Sequence, residues 1–262
     1  MYLLAIDMGN TTLGIGVINQ GQVIHVDHIP TAREENLSFF ISQLEQILAP
    51  YLQESPFCGG ILSSVVPELN DTVLTAMEQV IQQDAHLVTL ADILQVLPIQ
   101  IEEPSSVGKD RLMDCIGAMA QIPTPLIVID MGTATTVNMV NKKGEFVGGM
   151  IIPGVKTAVT ALSAKASQLP EIALEAPKHL LGQNTVECMQ SGAIYGHACM
   201  IEGIYNRLQQ EAEGTLHVIA TGGYGELIVP QCLTPIPYDP HLQLKGLASI
   251  YQRLNVRDNE CR

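Results

Sequence analysis

Tryptophan is absent from the 262 residues, aromatics make up 4 %, and lysine and arginine number 13 against 27 acids. A net charge of −14 leaves no basic stripe to neutralise a nucleic-acid backbone or an anionic membrane surface, which argues against both partners. The same shortage constrains any polyphosphate site: backbone N–H groups and a Mg²⁺ ion would have to supply most of the positive potential. No apolar run approaches the ~18 residues of a membrane span. The first residues have no basic n-region and reach Asp7 at once, so they do not read as a signal peptide, and a soluble cytoplasmic protein is expected. The six cysteines, Cys58, Cys115, Cys188, Cys199, Cys232 and Cys261, form no CxxC pair, and the seven histidines form no HExxH. They read as reduced thiols, several in the core, and no Cys or His metal site is expected. There is no GxxxxGK[ST], no GxGxxG opening a helix and no GxSxG, which excludes a P-loop, a dinucleotide fingerprint and a nucleophile elbow.

What the chain does have is a duplication. Residues 7–24 (DMGNTTLGIGVINQGQVI) lie over 130–147 (DMGTATTVNMVNKKGEFV) at an offset of 130 − 7 = 123, with Asp, Met, Gly, Thr12/Thr135, Val17/Val140 and Gly21/Gly144 identical. Each copy follows an apolar run, Tyr2 to Ile6 and Leu126 to Ile129, that reads as a buried strand. Each continues as strand, Gly-bearing turn and strand, a β-hairpin. A carboxylate ending a buried strand, with Gly two residues on, lets backbone N–H groups approach a ligand. Asn10, Thr11 and Thr12 add neutral donors, as do Thr133, Thr135 and Thr136. An ordinary turn explains either copy alone; the repetition points to two phosphate turns facing each other across a polyphosphate and its metal.

The rest of the chain alternates strands and helices, an α/β layer architecture. Asn36 caps a helix ended by Pro50. Gly60 to Val66 reads as a buried strand, Glu68 to Gln83 as an amphipathic helix and His86 to Leu90 as a short strand. Ala91 to Leu97 is ambiguous. Gly108 to Arg111 opens a helix through Met119, and Gln121 to Pro125 marks the domain boundary, giving domains 1–122 and 123–262. The second half continues with a helix over 155–167, a loop over 169–182, a long helix over 185–211, a strand over 217–221 and a last helix over 239–254.

Gly108-Lys109-Asp110-Arg111 places a carboxylate and a guanidinium at the positive end of a helix. Helix capping plus a surface arginine accounts for the tetrapeptide by itself. Its position just before the boundary, where a cleft between the halves is expected, makes Asp110 the candidate base for an acceptor hydroxyl. Arg111 could bind an acidic substrate or charge on the transferred phosphoryl. Thr221-Gly222-Gly223 fits either a plain turn or a close approach to a flat ring. Asn184-Thr185 fits either an N-cap or a substrate contact.

Duplicated Asp-x-Gly hairpin turns look like those of the acetate and sugar kinase, Hsp70 and actin superfamily. Nearly end to end, the chain resembles the type III pantothenate kinases. The resemblance rests on Asp7-Met8-Gly9-Asn10-Thr11, Gly108 to Arg111, Asp130-Met131-Gly132-Thr133-Ala134-Thr135-Thr136, Gly148-Gly149 through Pro153-Gly154, and Asn184-Thr185 with Ser191-Gly192 and Gly196. It implies two related ribonuclease-H-like (actin-like) α/β domains with mixed sheets, and phosphorylation of pantothenate by ATP, the first step of coenzyme A synthesis. It further implies that Asp7, Met8, Gly9, Asn10, Thr11, Thr12, Leu13 and Gly14 bind ATP phosphates and Mg²⁺, and that Thr133 contacts ATP. Asp110 would be the base, with Gly108, Lys109, Asp110, Arg111 and Thr185 contacting pantothenate. Asp130 would hold a monovalent cation, K⁺ or NH4⁺, and the chain would form a homodimer with sites near the subunit interface. Two features depart from the family pattern. Gln100 to Glu103 lacks an aromatic usual there, and Lys109 stands where a small residue is common. A nucleotide or polyphosphate hydrolase of the same superfamily, lacking an acceptor, and a non-catalytic accessory protein are the other readings.

Overall fold

The computed structural model describes residues 1–260, with side chains described to Asn255; Cys261 lies outside the described residues. The chain forms two compact units, one of residues 1–120 joined by the final helix, the other of residues 121–240. The expected domains, 1–122 and 123–262, differ from this grouping in where they put the last helix.

In the first unit, β1 (Tyr2–Met8), β2 (Thr12–Asn19), β3 (Gln22–Pro30), β4 (Phe57–Ser64) and β5 (Ala85–Leu87) form one sheet in the order β3-β2-β1-β4-β5. β1 is antiparallel to β2 and parallel to β4, and β4 is parallel to β5. Tyr2, Leu4, Ile6 and Met8 pack in a core with residues of α1 (Leu37–Glu54) and α2 (Asn70–Ile81). The period of two along a strand therefore turns Leu3, Ala5 and Asp7 to the opposite face, which α4 (Lys109–Met119) and α8 (Leu242–Glu260) cover. These two helices meet at glycines. A Cβ on Gly117 would overlap the Leu242 carbonyl, and one on Gly246 the Met113 carbonyl. Gly16 gives the same close fit to the sheet, since a Cβ there would lie 2.8 Å from Leu244 Cδ1. That contact explains Gly16, whereas a Cβ on neighbouring Gly14 would meet His28 only at an ordinary 3.8 Å.

The second unit repeats the plan with one strand fewer. β6 (Leu126–Met131), β7 (Ala134–Val140), β8 (Phe146–Pro153) and β9 (His217–Thr221) lie in the order β8-β7-β6-β9, with β6 parallel to β9. α5 (Val155–Lys165) and α6 (Thr185–Glu211) pack with residues of this sheet and of α7 (Gly225–Ile228) in a second core. Gly21 and Gly144, matched in the repeat, both hold a left-handed φ, +78° and +79°, which only glycine adopts without strain. The hairpins are thus duplicated down to their turns.

Three local expectations shift. α1 runs through Pro50 to Glu54. Pro50 leaves the Gln46 carbonyl without its N–H partner; both residues are exposed, so water can take the freed bond and the helix continues. The ambiguous stretch after β5 is a short helix, α3 (Leu90–Leu94), with a reciprocal capping box between Thr89 and Asp92. The last helix begins at Leu242 rather than Asp239.

The α3 cap is also a charge network. Asp92 is 8 % exposed; its Oδ2 accepts from the Thr89 N–H at 2.8 Å, from the Thr89 hydroxyl at 2.7 Å, and lies 2.9 Å from His86 Nε2. Burial pushes its carboxyl up, but the bonds from Thr89 and His86 outweigh this and hold it below the ordinary 3.8. A depressed carboxylate stabilises the fold above its unfolded pKa, and that contribution is lost as pH falls through the folded value. Asp92→Asn should cost about 1–2 kcal/mol at neutral pH, the usual worth of a cap. In urea denaturation the difference from wild type should narrow once the pH falls below 3.8; a constant difference from pH 7 to 3 would contradict this account.

Candidate active site

Asp7 is the penultimate residue of β1, half-buried, paired with Gly14 across the hairpin and with Ser63 on parallel β4. Beyond it the Gly9 N–H donates to the Thr12 carbonyl at 3.0 Å, and Asn10, Thr11 and Thr12 are exposed. Met8 and Leu13 are buried to 1 % exposure, so of these two only the backbone can meet a ligand. The loop is braced by the segment after β3. Thr31 donates its hydroxyl to the Gly9 carbonyl at 2.7 Å and its N–H to the Thr11 carbonyl at 2.9 Å. Arg33 donates to Asn10 Oδ1 at 2.8 Å and pairs with Glu68 at 2.9 Å. A brace of this kind leaves no pattern along the chain.

The second unit builds the same feature. Asp130 is the penultimate residue of β6, the Gly132 N–H donates to the Ala134 carbonyl at 3.0 Å, and the Gly154 N–H donates to the Thr133 carbonyl at 3.1 Å. Since 31 + 123 = 154, the amides of Thr31 and Gly154 do equivalent work. Thr157 adds its hydroxyl to the Thr133 carbonyl at 2.7 Å. The two copies differ by one step of register. Met8 pairs with Leu13, whereas Met131 pairs with Thr135, so the aligned Thr12 and Thr135 occupy different places. Thr135 is buried where Leu13 is in the first copy, and its hydroxyl has no hydrogen-bond partner.

Glycine shapes the surroundings of Asp130. Gly222, just past β9, holds φ +87°, and a Cβ there would overlap Asp130 Oδ1. Its carbonyl accepts from the Tyr238 hydroxyl at 3.0 Å. Burial, then the charges of Glu226, Asp239 and Asp130, push that phenol up. Gly222 is therefore required at this turn by both its angle and its closeness to the carboxylate.

Among the described residues no group of three or more His, Cys, Asp or Glu could by itself hold a metal. Each strand end offers a single carboxylate with hydroxyl and carbonyl oxygens nearby. That donor set fits Mg²⁺, which binds through one or two carboxylates together with substrate phosphates and water. At Asp130 the glycine leaves the carboxylate oxygen uncovered on the side where a Cβ would lie.

The third element belongs to the first unit. α4 starts at Lys109 with Gly108 as an N-cap that has no side chain to offer. Lys109 Nζ donates to the Val88 carbonyl at 2.9 Å, one residue past the end of β5, so the helix begins at the edge where parallel β1, β4 and β5 terminate. Ligands of open α/β sheets bind at that edge. Asp110 is exposed and its Oδ1 accepts the Arg111 N–H at 2.9 Å; Arg111 is half-buried. The first unit thus gathers Asp7, the loop Gly9–Thr12, Gly14 and Gly108–Arg111 at one sheet edge, on the face α4 covers.

In the second unit Thr185 is exposed at the first position of α6, behind Asn184, which caps the helix by accepting the Glu187 N–H at 3.0 Å. Thr185 also lines a cavity of about 660 Å³ with Val159, Leu162, Met189 and His197. Of the two readings open for Asn184-Thr185, the asparagine performs the capping, which leaves the threonine hydroxyl available.

Known proteins resemble this chain in sequence and in fold. The profile of the type III pantothenate kinases matches residues 3–207. A type III pantothenate kinase of Moorella thermoacetica is 39 % identical over 258 residues, covering 96 % of this chain and 99 % of the relative. One from Halalkalibacterium halodurans is 34 % identical over 255 residues, again at 96 % and 99 %. Among solved structures, a ROK family protein from Streptococcus pneumoniae superposes with a TM-score of 0.53 at 12 % identity, covering 98 % of this chain and 100 % of the other. Component A of the Acidaminococcus fermentans (R)-2-hydroxyglutaryl-CoA dehydratase gives 0.51 at 14 %, covering 96 % and 97 %. The fold is the actin-like one, and the chain belongs to the type III pantothenate kinase family.

Proposed function

We propose that this protein is a kinase that transfers the γ-phosphoryl group of ATP to the hydroxyl of pantothenate, forming 4′-phosphopantothenate for coenzyme A synthesis. The observation that carries the reading is the meeting of a strand-end carboxylate turn and an exposed Asp110 at one sheet edge, in a chain matching the pantothenate kinase profile over residues 3–207. Asp7 to Gly14 take the ATP phosphates, chiefly through backbone N–H groups and the Asn10, Thr11 and Thr12 side chains. Mg²⁺, when bound, offsets phosphate charge. Asp130 serves a monovalent cation, K⁺ or NH4⁺, and Thr133 contacts ATP. Gly108, Lys109, Asp110, Arg111 and Thr185 bind pantothenate, with Arg111 matched to its carboxylate.

In the transfer, the Asp110 carboxylate accepts the proton as the substrate oxygen bonds to the γ-phosphorus and the bond to the β-phosphate oxygen breaks, releasing ADP. Asp110 suits the task because it is exposed at a helix N-terminus and fixed by one backbone bond. A hydrolase would leave Gly108 to Arg111 without an acceptor to bind, and an accessory protein would not need all three carboxylates, Asp7, Asp110 and Asp130.

We assign the protein to the cytoplasm as a homodimer. No helix among the described residues is long and apolar enough to cross a membrane. The second unit exposes Met150, Ile151, Leu162 and Val186, and Gly192, Gly196 and Gly203 leave open space along α6. Exposed apolar side chains, and a helix surface that glycines leave open, support self-association. Sedimentation at micromolar concentration should give twice the 28.3 kDa of one chain, and Gly196→Glu should give the monomer; a monomeric wild type would contradict the assignment.

The kinase reading is tested by following ADP release with pantothenate present or absent, in potassium or sodium. Turnover should require pantothenate and be higher in potassium. Asp110→Asn should stay folded while kcat falls by about 10²–10⁴, the worth of a general base. ADP release without acceptor would favour hydrolysis, and near-normal turnover in the variant would remove Asp110 from the role.

A further inference from the structure

Lys109 opens α4 one residue before the proposed base, and its ammonium is committed to the sheet. Nζ donates to the main-chain oxygen of Val88 at 2.9 Å, and the residue is half-buried. The acceptor is a fixed point. Val88 is fully buried, and its N–H donates to the Leu62 carbonyl at 2.9 Å, carrying the β4–β5 ladder one rung past Leu87. The next residue, Thr89, caps α3 and is locked by Asp92. The Lys109 bond therefore closes a 21-residue excursion whose regular parts are only α3 and a short turn over Pro104–Ser106.

The N-cap of α4 makes no side-chain hydrogen bond to the helix it opens. Gly108 contributes no capping side chain, and Asp110 spends one oxygen on the adjacent Arg111 N–H. Burial of the helix begins at Leu112. An uncapped first turn frays, and here the first turn carries the residue that must meet the acceptor hydroxyl.

We propose that the Lys109 side chain is a positioning residue: by fastening the first turn of α4 to the end of β5, it holds the Asp110 carboxylate in reach of the acceptor hydroxyl. The inference rests on Asp110 being the base. It assigns the Lys109 side chain to geometry, leaving the backbone of Gly108 to Arg111 and the Arg111 guanidinium to bind substrate. A base displaced by about 1 Å loses on the order of 100-fold in rate, whereas a lost contact to the substrate carboxylate would weaken binding instead.

The test is steady-state kinetics of Lys109→Met, Lys109→Gln and Lys109→Arg with pantothenate and ATP varied separately. Met keeps the stem and removes the donor; Gln keeps a neutral donor on a shorter stem; Arg keeps donor and charge. In Lys109→Met, kcat should fall roughly 10- to 100-fold with both KM values changed by no more than about twofold. Arg should recover most of the loss and Gln part of it, because the acceptor is a neutral carbonyl that needs a donor rather than a charge. A higher KM for pantothenate at unchanged kcat, or no kinetic change, would overturn the proposal. Should the Met variant not fold, Gln decides: a loss confined to kcat supports positioning, and a rise confined to KM overturns it. Failure of the base assignment would appear separately, as Asp110→Asn retaining turnover while the wild type is active.

Discussion

A carboxylate at the end of a buried parallel strand is the constraint from which the rest of this structure follows. β1 is apolar from Tyr2 to Ile6 and covered on both faces, so a charge is tolerable only where the strand reaches the sheet edge. Asp7 stands there, half-buried, and the chain must then turn back at once into β2. Gly9 makes that turn, and the loop it opens presents backbone N–H groups and short polar side chains. The second unit meets the same constraint with Asp130, Gly132 and β7. Both loops are braced from behind by the residue at the same offset, Thr31 and Gly154. What is duplicated is a means of exposing one carboxylate beside free donors at the edge of an apolar layer.

Composition makes this arrangement functionally pointed. With 27 acids and 13 bases, and with Arg33 and Lys109 tied to Asn10 and Val88, little basic side chain is left to hold a polyphosphate at this edge. Cations chelated between single carboxylates and phosphate oxygens, together with oriented amides, provide the alternative. Two basic side chains near the first-unit site are engaged structurally: Arg33, itself paired with Glu68, donates directly to Asn10, and Lys109 ties α4 to Val88, while Arg111 is the one proposed for the substrate. The chain spends scarce positive charge on holding loops and helix starts in place, and that gives the acidic groups their geometry.

Much of this was legible in the sequence because it is local and periodic. The duplicated motif, the strands after which each Asp falls, the helix opened by Gly108 to Arg111, and α6 from Thr185 to Glu211 all follow from apolar spacing and turn residues. The partner of Gly16, Leu244, lies far along the chain. The passage of α1 through Pro50 was not legible, since it depends on which side of the helix faces water. The register step that separates Thr12 from Thr135 was hidden by an alignment that scores identity rather than pairing. The bonds from the Thr31 hydroxyl to Gly9 and from Arg33 to Asn10 span 22 and 23 residues, and the grouping of α8 with the first unit depends on glycine contacts between distant segments. Interactions of that range leave no periodic trace.

The central claim is that Asp7 acts on the nucleotide through a bound cation. Calorimetric titration of ATP into the wild type and Asp7→Asn, each with and without Mg²⁺, tests it most directly. With Mg²⁺ the variant should bind at least about tenfold more weakly, a loss near 1.4 kcal/mol, while without Mg²⁺ it should bind as well as the wild type or better, because a negative charge has left the site. Equal affinity of the two folded proteins in the presence of Mg²⁺ would contradict the account.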